Sequence, residues 1–356
     1  MNPLDETVAL QRYQKSRVAP EPRQAIFSSW IENDTYLPLL SFSDVIRIID
    51  LLVQSYAPQP NLLSRPISAT ELLSPVTPSH LASLADKVND WDFHAGRMSD
   101  EDLIWVSVLI LEHILNTGGP DLASYKISRG HPSQSILLLI VDELVLFMLT
   151  VRSCYQPTNH YHNFHHAIDV LQATFQILLL SHLIPPLPSS HQPTPPPVNP
   201  LLPAGYFGPM EILALCIAAV GHDAAHPGVT NAFLTASKSS LALLFNERSV
   251  LENLHCLTIS KIVEDRWPQL FVDDEGDRIR RMILEMILST DMALHFEFMA
   301  RFEALKDSIS SNPVDEKQRR LIGCCIMKSA DISNLVAPAS NRLFLDCWLT
   351  SVRRVH

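Results

Sequence analysis

The residues of this chain that are best suited to chemistry are histidines and carboxylates gathered in four short segments. These segments are YHNFHH (161–166), GHDAAHPG (221–228), NERSVLEN (246–253) and KSADISN (328–334). Imidazole nitrogens and carboxylate oxygens are the donor atoms that Zn²⁺ and related divalent cations take from proteins. The segments therefore raise the possibility of a metal centre.

Two of the segments are weak evidence for a metal site when each is considered alone. His162 and His166 are four residues apart, so on a helix they would share a face one turn apart. Satisfied core or surface histidines give the same spacing, so this match alone is weak. Asp331 follows the apolar run 321–327. An aspartate near a helix end is usually a cap or a solvated residue, so it is uninformative in isolation.

The second segment is stronger evidence for a metal site, because the apolar residues before it would bury its polar groups. His222, Asp223 and His226 follow the apolar stretch 212–220. Burial of imidazole and carboxylate groups without partners costs several kcal/mol, so a metal ion or a dense hydrogen-bond network is needed. The alternative is a capped helix end with incidental histidines.

The order of these residues along the chain is stronger evidence for a metal site than any one segment. Two imidazoles and two carboxylates on separate helices can converge in a bundle core as a metal site with open coordination positions. The residues that would do so are His166, His222, Asp223 and Asp331. Four others could equally be ordinary helix-surface groups: Glu252, Thr290, Asp291 and His295.

Helices must position these groups, because composition and periodicity both favour an all-α bundle. The chain has only 10 glycines, 47% hydrophobic residues and no strand-period alternation. Ser99 and Asp102 form a capping box before a helix that should end at Gly118. Further helical patterns cover 136–151, 209–220, 230–246, 249–263, 277–289, 291–309 and 315–330.

Three regions lie outside this regular pattern. Residues 1–80 are predicted to form a variable N-terminal extension with one amphipathic helix, 37–53. Residues 185–203 are rich in proline and predict an exposed loop insertion, for which an inert surface role is favoured over a ligand for an SH3-type domain. Residues 343–349 predict the start of another amphipathic helix.

Charge and hydropathy exclude several classes of protein. The formal net charge of −11 disfavours binding to a nucleic acid polymer, but metal ions could still hold a small anionic substrate. The longest apolar stretch, 135–151, contains Asp142 and Glu143, and the N-terminus lacks the order of a signal peptide. We therefore expect a soluble, non-membrane protein. The six cysteines show no C-x-x-C pair and predict buried thiols in the cytoplasm.

Five ordered motifs resemble those of the class I 3′,5′-cyclic nucleotide phosphodiesterases, within the HD-type metal phosphohydrolase superfamily. The motifs are YHNFHHAIDV, GHDAAHPGVTNAFL, FNERSVLENLH, STDMALHF and KSADISN. The resemblance implies a multi-helix bundle of the phosphodiesterase type and a catalytic domain over 81–356. The extension and the insert are similar to those of fungal members.

The resemblance also implies roles for individual residues. Four of them would ligate a first metal ion, Zn²⁺: His166, His222, Asp223 and Asp331. Asp223 would bridge to a second ion, Mg²⁺ or Mn²⁺. Water molecules around that ion would be held by His226, Glu252 and Thr290. His162 would be the general acid, and Tyr161 and Asn334 would line the nucleotide pocket.

The implied reaction is the hydrolysis of cyclic AMP, cyclic GMP or both to nucleoside 5′-monophosphates. A hydroxide between the two ions would attack the phosphorus, while His162 would donate a proton to the leaving 3′ oxygen. A phosphohydrolase acting on another phosphoester is disfavoured, because generic HD-type enzymes lack the ENLH and TDM segments.

The C-terminal part departs from the family pattern. Members continue well past the last metal aspartate, with helices that carry a base-binding glutamine. Here 25 residues follow Asp331 and none is Gln. We therefore expect a C-terminally truncated domain whose uncovered face could bind a partner or a second copy. This leaves nucleotide selectivity open. It also leaves an alternative function, that of a weakly active or inactive homologue that binds metal or regulates a partner.

Overall fold

Helices form all the regular secondary structure in the residues that the computed structural model describes, which are 76–118, 136–189, 206–306 and 315–333. All of these residues belong to one compact unit. The predicted all-α fold class is thereby confirmed.

Eleven α-helices and three short 3₁₀ segments lie within these ranges. The α-helices are α1 (Pro78–Asn89), α2 (Asp100–Thr117), α3 (Ile136–Ser153), α4 (Phe164–Leu180), α5 (Pro209–Gly221), α6 (Asn231–Ala236), α7 (Ser240–Leu244), α8 (Val250–Arg266), α9 (Asp274–Leu288), α10 (His295–Lys306) and α11 (Glu316–Ser333). The 3₁₀ segments are Ala95–Arg97, Pro268–Phe271 and Met292–Leu294.

Polar side chains begin several helices by accepting a hydrogen bond from a backbone N–H of the first turn. Ser99 Oγ accepts from the N–H of Asp102, as the sequence predicted, and Asn163 Oδ1 accepts from the N–H of His166. The same arrangement begins four further helices, at Thr77, Thr230, Ser239 and Asp273. The N-terminal bounds are therefore largely set by short polar residues.

Helix α5 lies at the centre of the bundle. It contacts α2, α4, α8, α9 and α11, and every residue from Met210 to Gly221 is buried. A helix that is apolar on all sides can be stable only when other helices surround it. The residues that follow it, beginning with His222, therefore lie in the interior of the protein.

An ion pair between a buried carboxylate and a half-buried guanidinium joins the N-terminal ends of α5 and α11. Glu211 is 5% exposed, and its Oε1 lies 3.0 Å from Nε of Arg319. Its Oε2 accepts a hydrogen bond of 2.7 Å from the N–H of Gly208, at the N-cap of α5. The carboxylate therefore has partners for both oxygens, as a buried charge requires.

Two predicted helices are each divided in two. The pattern over 230–246 becomes α6 and α7, because Lys238 adopts a left-handed backbone (φ 51°) and Ser239 caps a new helix. The pattern over 291–309 becomes a 3₁₀ segment followed by α10, since Asp291 accepts from the N–H of Ala293 and holds a tight turn. In both places local polar capping outweighs the apolar periodicity.

Several sequence predictions fall outside the described residues. They concern residues 1–75, with the helix at 37–53, and the helix at 343–349. Residues 190–203 of the predicted proline-rich loop are outside as well, whereas 185–189 are described and have no regular secondary structure. The domain boundary at residue 80 stays a prediction.

The described cysteines are buried thiols, as predicted. Cys154, Cys216, Cys256, Cys324 and Cys325 are all free. Burial raises the pKa of Cys154 to about 11, which suits an inert packing role. Within the described ranges, no helix combines the length and the apolar character needed to cross a membrane.

Helices α5 and α8 approach most closely at Gly221, one residue before the polar segment. A Cβ built at Gly221 would lie only 2.5 Å from Cγ1 of Ile259. Only glycine therefore permits this crossing without displacing α8.

We expect Gly221→Ala to lower the free energy of unfolding by about 1–3 kcal/mol, because the methyl group overpacks the contact with Ile259. Urea denaturation measures this. Gly96→Ala is the matched control, since a Cβ there lies 3.6 Å from its nearest neighbouring atom. Equal stability of the two variants would contradict the close crossing.

Candidate metal centre

Four side chains meet in the interior, one each from α4 and α11 and two from the segment that directly follows α5. His166 Nε2 lies 3.1 Å from Asp331 Oδ1 and 3.3 Å from His222 Nε2. His222 Nε2 lies 3.4 Å from Asp331 Oδ1 and 3.3 Å from Asp223 Oδ2. The structure thus brings together all four residues that were predicted to bind the first metal ion.

The fold explains why these side chains converge. His166 is in the first turn of α4, where the Asn163 cap holds its backbone, and His222 directly follows α5. Asp331 is in the last turn of α11, and α11 packs against both α4 and α5. The convergence therefore follows from the packing of three helices.

The protonation pattern of His222 fits a metal ligand. Its Nδ1 lies 2.9 Å from the carbonyl oxygen of Ala219, so Nδ1 carries the proton and donates it. When the ring loses its other proton, as metal binding requires, the lone pair is on Nε2 and points at the cluster. A backbone carbonyl that fixes the tautomer in this way is the usual second partner of a metal-binding histidine.

The charges of the cluster also favour a bound cation. Asp223 Oδ2 is buried and has no hydrogen-bond partner. Burial opposes the charge on Asp223, but His222, followed by His255 and His166, outweighs it and holds the pKa of Asp223 well below its usual range. Burial would lower the pKa of His222, yet Asp223 and Asp331 raise it well above its usual range. The pocket thus attracts a positive charge, and two nitrogens and two oxygens fit a divalent ion.

Beside this cluster stands a second set of histidines. The ring of His226 stacks on His162, with centroids 4.1 Å apart, and on His255, with centroids 5.7 Å apart. Burial lowers the pKa of His226 to about 3 and that of His255 to about 4. Both rings are therefore neutral at pH 7. His226 Nδ1 accepts from the N–H of Gly228, which leaves the proton on Nε2.

His255 is a site residue to which sequence reasoning gave no role. Its Nδ1 donates to the carbonyl oxygen of Ala224, and its Nε2 lies 3.7 Å from Asp223 Oδ1. The available signal was its position three residues after Glu252, which on a helix places both side chains toward one side.

The geometric reason given for pairing His162 with His166 is wrong. Helix α4 begins at Phe164, so His162 precedes the helix and does not share a helical face with His166. The two rings are still only 6.2 Å apart between centroids. The amide of Asn159 holds this loop, because its Nδ2 donates to the carbonyl oxygens of both His162 and His226.

The other predicted site residues are Tyr161, Glu252, Thr290 and Asn334, of which Tyr161 contacts the cluster. Tyr161 is 37% exposed, and its ring centroid lies 4.5 Å from that of His166. Glu252 is half-buried and accepts from Asn231 Nδ2 at 2.9 Å. Thr290 is also half-buried, and its hydroxyl donates to the carbonyl oxygen of Ile287. Asn334 lies outside the described residues.

Solved structures with this arrangement of helices are phosphodiesterases. Yeast caPDE2 aligns with a TM-score of 0.61 at 27% identity, covering 89% of this chain and 59% of that one. The phosphodiesterase domain of the rhodopsin fusion protein from Salpingoeca rosetta aligns with a TM-score of 0.54 at 28% identity, covering 70% and 69%. The fold is therefore similar to that of helical phosphodiesterase domains.

The sequence comparisons specify the family. The model of the 3′,5′-cyclic nucleotide phosphodiesterase family matches residues 161–343, and the chain belongs to that family. It is 32% identical over 254 residues to 3′,5′-cyclic-nucleotide phosphodiesterase 2 of Saccharomyces cerevisiae, which covers 71% of this chain and 38% of the yeast protein. Over 204 residues it is 36% identical to a cGMP-specific phosphodiesterase of Dictyostelium discoideum, which covers 56% of this chain and 38% of that protein. The chain spans less than half the length of these curated relatives.

Asp331→Asn should weaken the binding of Zn²⁺ by more than the roughly 10–100-fold that outer-shell substitutions cause, because it removes one of two carboxylates from the cluster. Competition with a zinc chelator, followed by metal analysis after dialysis, measures the affinity. Asp102→Asn is the control, since that carboxylate is at the surface and binds His80. Unchanged affinity in Asp331→Asn would refute the site.

Proposed function

We propose that this chain hydrolyses 3′,5′-cyclic nucleotides to nucleoside 5′-monophosphates at the cluster around Asp223. The observation that carries the proposal is the convergence of two imidazole nitrogens and two carboxylate oxygens beside three further histidines, in a member of this family. The relatives include a cGMP-specific phosphodiesterase of Dictyostelium discoideum and a cyclic-AMP phosphodiesterase of Drosophila melanogaster, so both nucleotides are candidate substrates.

The first metal ion would be held by the four clustered side chains, with Zn²⁺ suiting the two nitrogens and two oxygens. Asp223 Oδ1 faces the histidine stack and could serve a second ion, Mg²⁺ or Mn²⁺. When bound, the ions would neutralise the phosphate and lower the pKa of a water molecule so that hydroxide is available at pH 7.

Three residues would orient water molecules around the second ion. The Nε2–H of His226 is a donor, because its Nδ1 already accepts from Gly228. Glu252 offers carboxylate oxygens and Thr290 a hydroxyl oxygen with free acceptor capacity. Donor and acceptor groups on different sides of one cavity can fix the orientation of a water molecule.

His162 would be the proton donor to the leaving 3′ oxygen. Its ring is held flat against that of His226, with 13° between their planes, so the direction of its nitrogens is fixed. Burial lowers the pKa of His162, which keeps the free ring neutral. An anionic phosphate beside the ring favours the charged form and so supplies the proton where the reaction needs it.

The surroundings of the site support the rest of the proposal. Tyr161, exposed beside His166, would line the nucleotide pocket together with Asn334. We propose 81–356 as the catalytic domain. The buried free thiols are typical of a reducing compartment and support a cytoplasmic location.

The direct test is turnover of cyclic AMP and cyclic GMP by the full chain in the presence of Zn²⁺ and Mg²⁺. We expect the matching 5′-monophosphate as product, separated by liquid chromatography. Asp331→Ala should abolish turnover because it removes a metal ligand. Folded, metal-bound protein without turnover on either nucleotide would contradict the proposal and favour the regulatory alternative.

His162→Gln should lower kcat by about 10²–10⁴-fold, since it removes the proton donor, while Zn²⁺ binding is retained. Steady-state kinetics and metal analysis of the same samples measure the two effects. The matched control is His165→Gln, because the neighbouring His165 faces Asp100 at the surface. Equal kcat values in the two variants would exclude this role for His162.

A further inference from the structure

The N-terminus of α8 is capped by a residue from another helix. Its N-cap, Ser249, has a left-handed backbone (φ 43°) and makes no side-chain cap. The free N–H of Leu251 in the first turn is instead bound by Asn231 Oδ1, at 2.8 Å. A helix start that is satisfied from 20 positions upstream is fixed relative to that second segment.

The same asparagine also binds the carboxylate in this turn. Its Nδ2 lies 2.9 Å from Oε2 of Glu252 and 3.3 Å from Oε1. One amide thus orients the backbone and the side chain of consecutive residues. Burial raises the pKa of Glu252, whereas the amide of Asn231 favours the ionised form and the carboxylates of Asp291 and Asp223 oppose it.

A second side-chain hydrogen bond holds the other side of this turn. Ser249 Oγ donates to Asp291 Oδ2 at 2.7 Å, and Asp291 is 6% exposed and directly follows Thr290. The first turn of α8 therefore connects two segments that contribute to the site, one through Asn231 and one through Asp291.

From this geometry we infer that Asn231 is a positioning residue, which caps α8 from α6 and orients Glu252 toward the second divalent cation. The inference rests on the proposed two-ion function. Neutral donors that orient a carboxylate near a metal typically change its affinity by about 10–100-fold when removed. The side-chain hydrogen bonds of Asn231 are to Leu251 and Glu252 of α8, so we expect its effect on the ion to pass through Glu252.

Asn231→Asp separates the two contacts. The new side chain keeps an acceptor for the N–H of Leu251 but replaces the donor to Glu252 by a second carboxylate oxygen. With Mn²⁺ as the probe, we expect the weaker of two binding events to lose about 10-fold or more in affinity. The stronger event and the KM for the cyclic nucleotide should change by less than about 3-fold. Electron paramagnetic resonance counts free Mn²⁺ without relying on turnover.

Asn89→Asp is the matched control. Asn89 Nδ2 donates to the carbonyl oxygen of Leu187 and its Oδ1 accepts from the N–H of the same residue, each at 2.9 Å. The control therefore also loses a donor and keeps an acceptor, but far from the site. If both variants bind Mn²⁺ like the wild type, Asn231 has only a structural role and the inference fails.

A double-mutant cycle tests whether Asn231 acts through Glu252. The loss in Asn231→Asp/Glu252→Gln should be no larger than that in Glu252→Gln alone, because one contact has been removed twice. Additive losses would overturn the inference. If Asn231→Asp does not fold, Asn231→Ala removes both contacts without adding a charge and is subject to the same comparison.

The outcomes distinguish the inference from the proposed function. A wild-type chain that binds one Mn²⁺ ion or none, and turns over neither nucleotide, contradicts the proposed function itself. A wild-type chain that binds two ions and is active, together with an Asn231→Asp variant of unchanged Mn²⁺ affinity, contradicts only the role of Asn231.

Discussion

The burial of Asp223 beside two imidazoles, with the half-buried Asp331 next to them, is the constraint on which the rest of this structure depends. Charges removed from water require compensating charge at close range, and Asp223 Oδ2 has no hydrogen bond to provide it. The pKa of His222 is raised and that of Asp223 is lowered because each group stabilises the charged form of the other against the cost of burial. A divalent cation bound by these four groups would supply that charge.

The surrounding helices make the arrangement possible because they bury most of the cluster, with Asp331 half-buried and Tyr161 exposed at its edge. α5 is enclosed by five other helices, and α8 crosses it at Gly221, where the Ile259 side chain packs directly against the α5 backbone. The same enclosure keeps His226 and His255 neutral, although they lie beside a highly charged group. Histidines with a raised pKa (His222) and a lowered pKa (His226 and His255) thus lie side by side. Perturbed pKa values of this kind are typical of catalytic sites.

Much of this could be predicted from the sequence, for identifiable reasons. The all-α fold and the central position of α5 follow from apolar periodicity, and the convergence of the four clustered residues was inferred from their order on apolar helices. His162 was paired with His166 for the wrong reason, because Asn163 caps α4 and leaves His162 outside the helix. Capping is decided by single polar side chains, which also explains the unpredicted break at Ser239.

The contributions of Asn159 and Asn231 could not be predicted, because they depend on which segments become neighbours. Each amide contacts a residue that is far from it in sequence, and nothing in local periodicity marks such a residue. Likewise, His255 is one histidine among 15 until the crossing of α5 and α8 brings it toward Asp223. Tertiary contacts, rather than residue type, assign these roles.

The ion pair between Glu211 and Arg319 has a consequence at the opposite ends of the same helices. From Glu211 to His222 along α5 is a rise of about 17 Å, and from Arg319 to Asp331 along α11 about 18 Å. The two helices therefore run side by side in the same direction, with one polar contact at each end. A slip of α11 by a single turn would shift Asp331 by about 5.4 Å and carry it out of reach of His222. The ion pair therefore favours one axial register of α11 relative to α5. It does so although neither Glu211 nor Arg319 contacts the site.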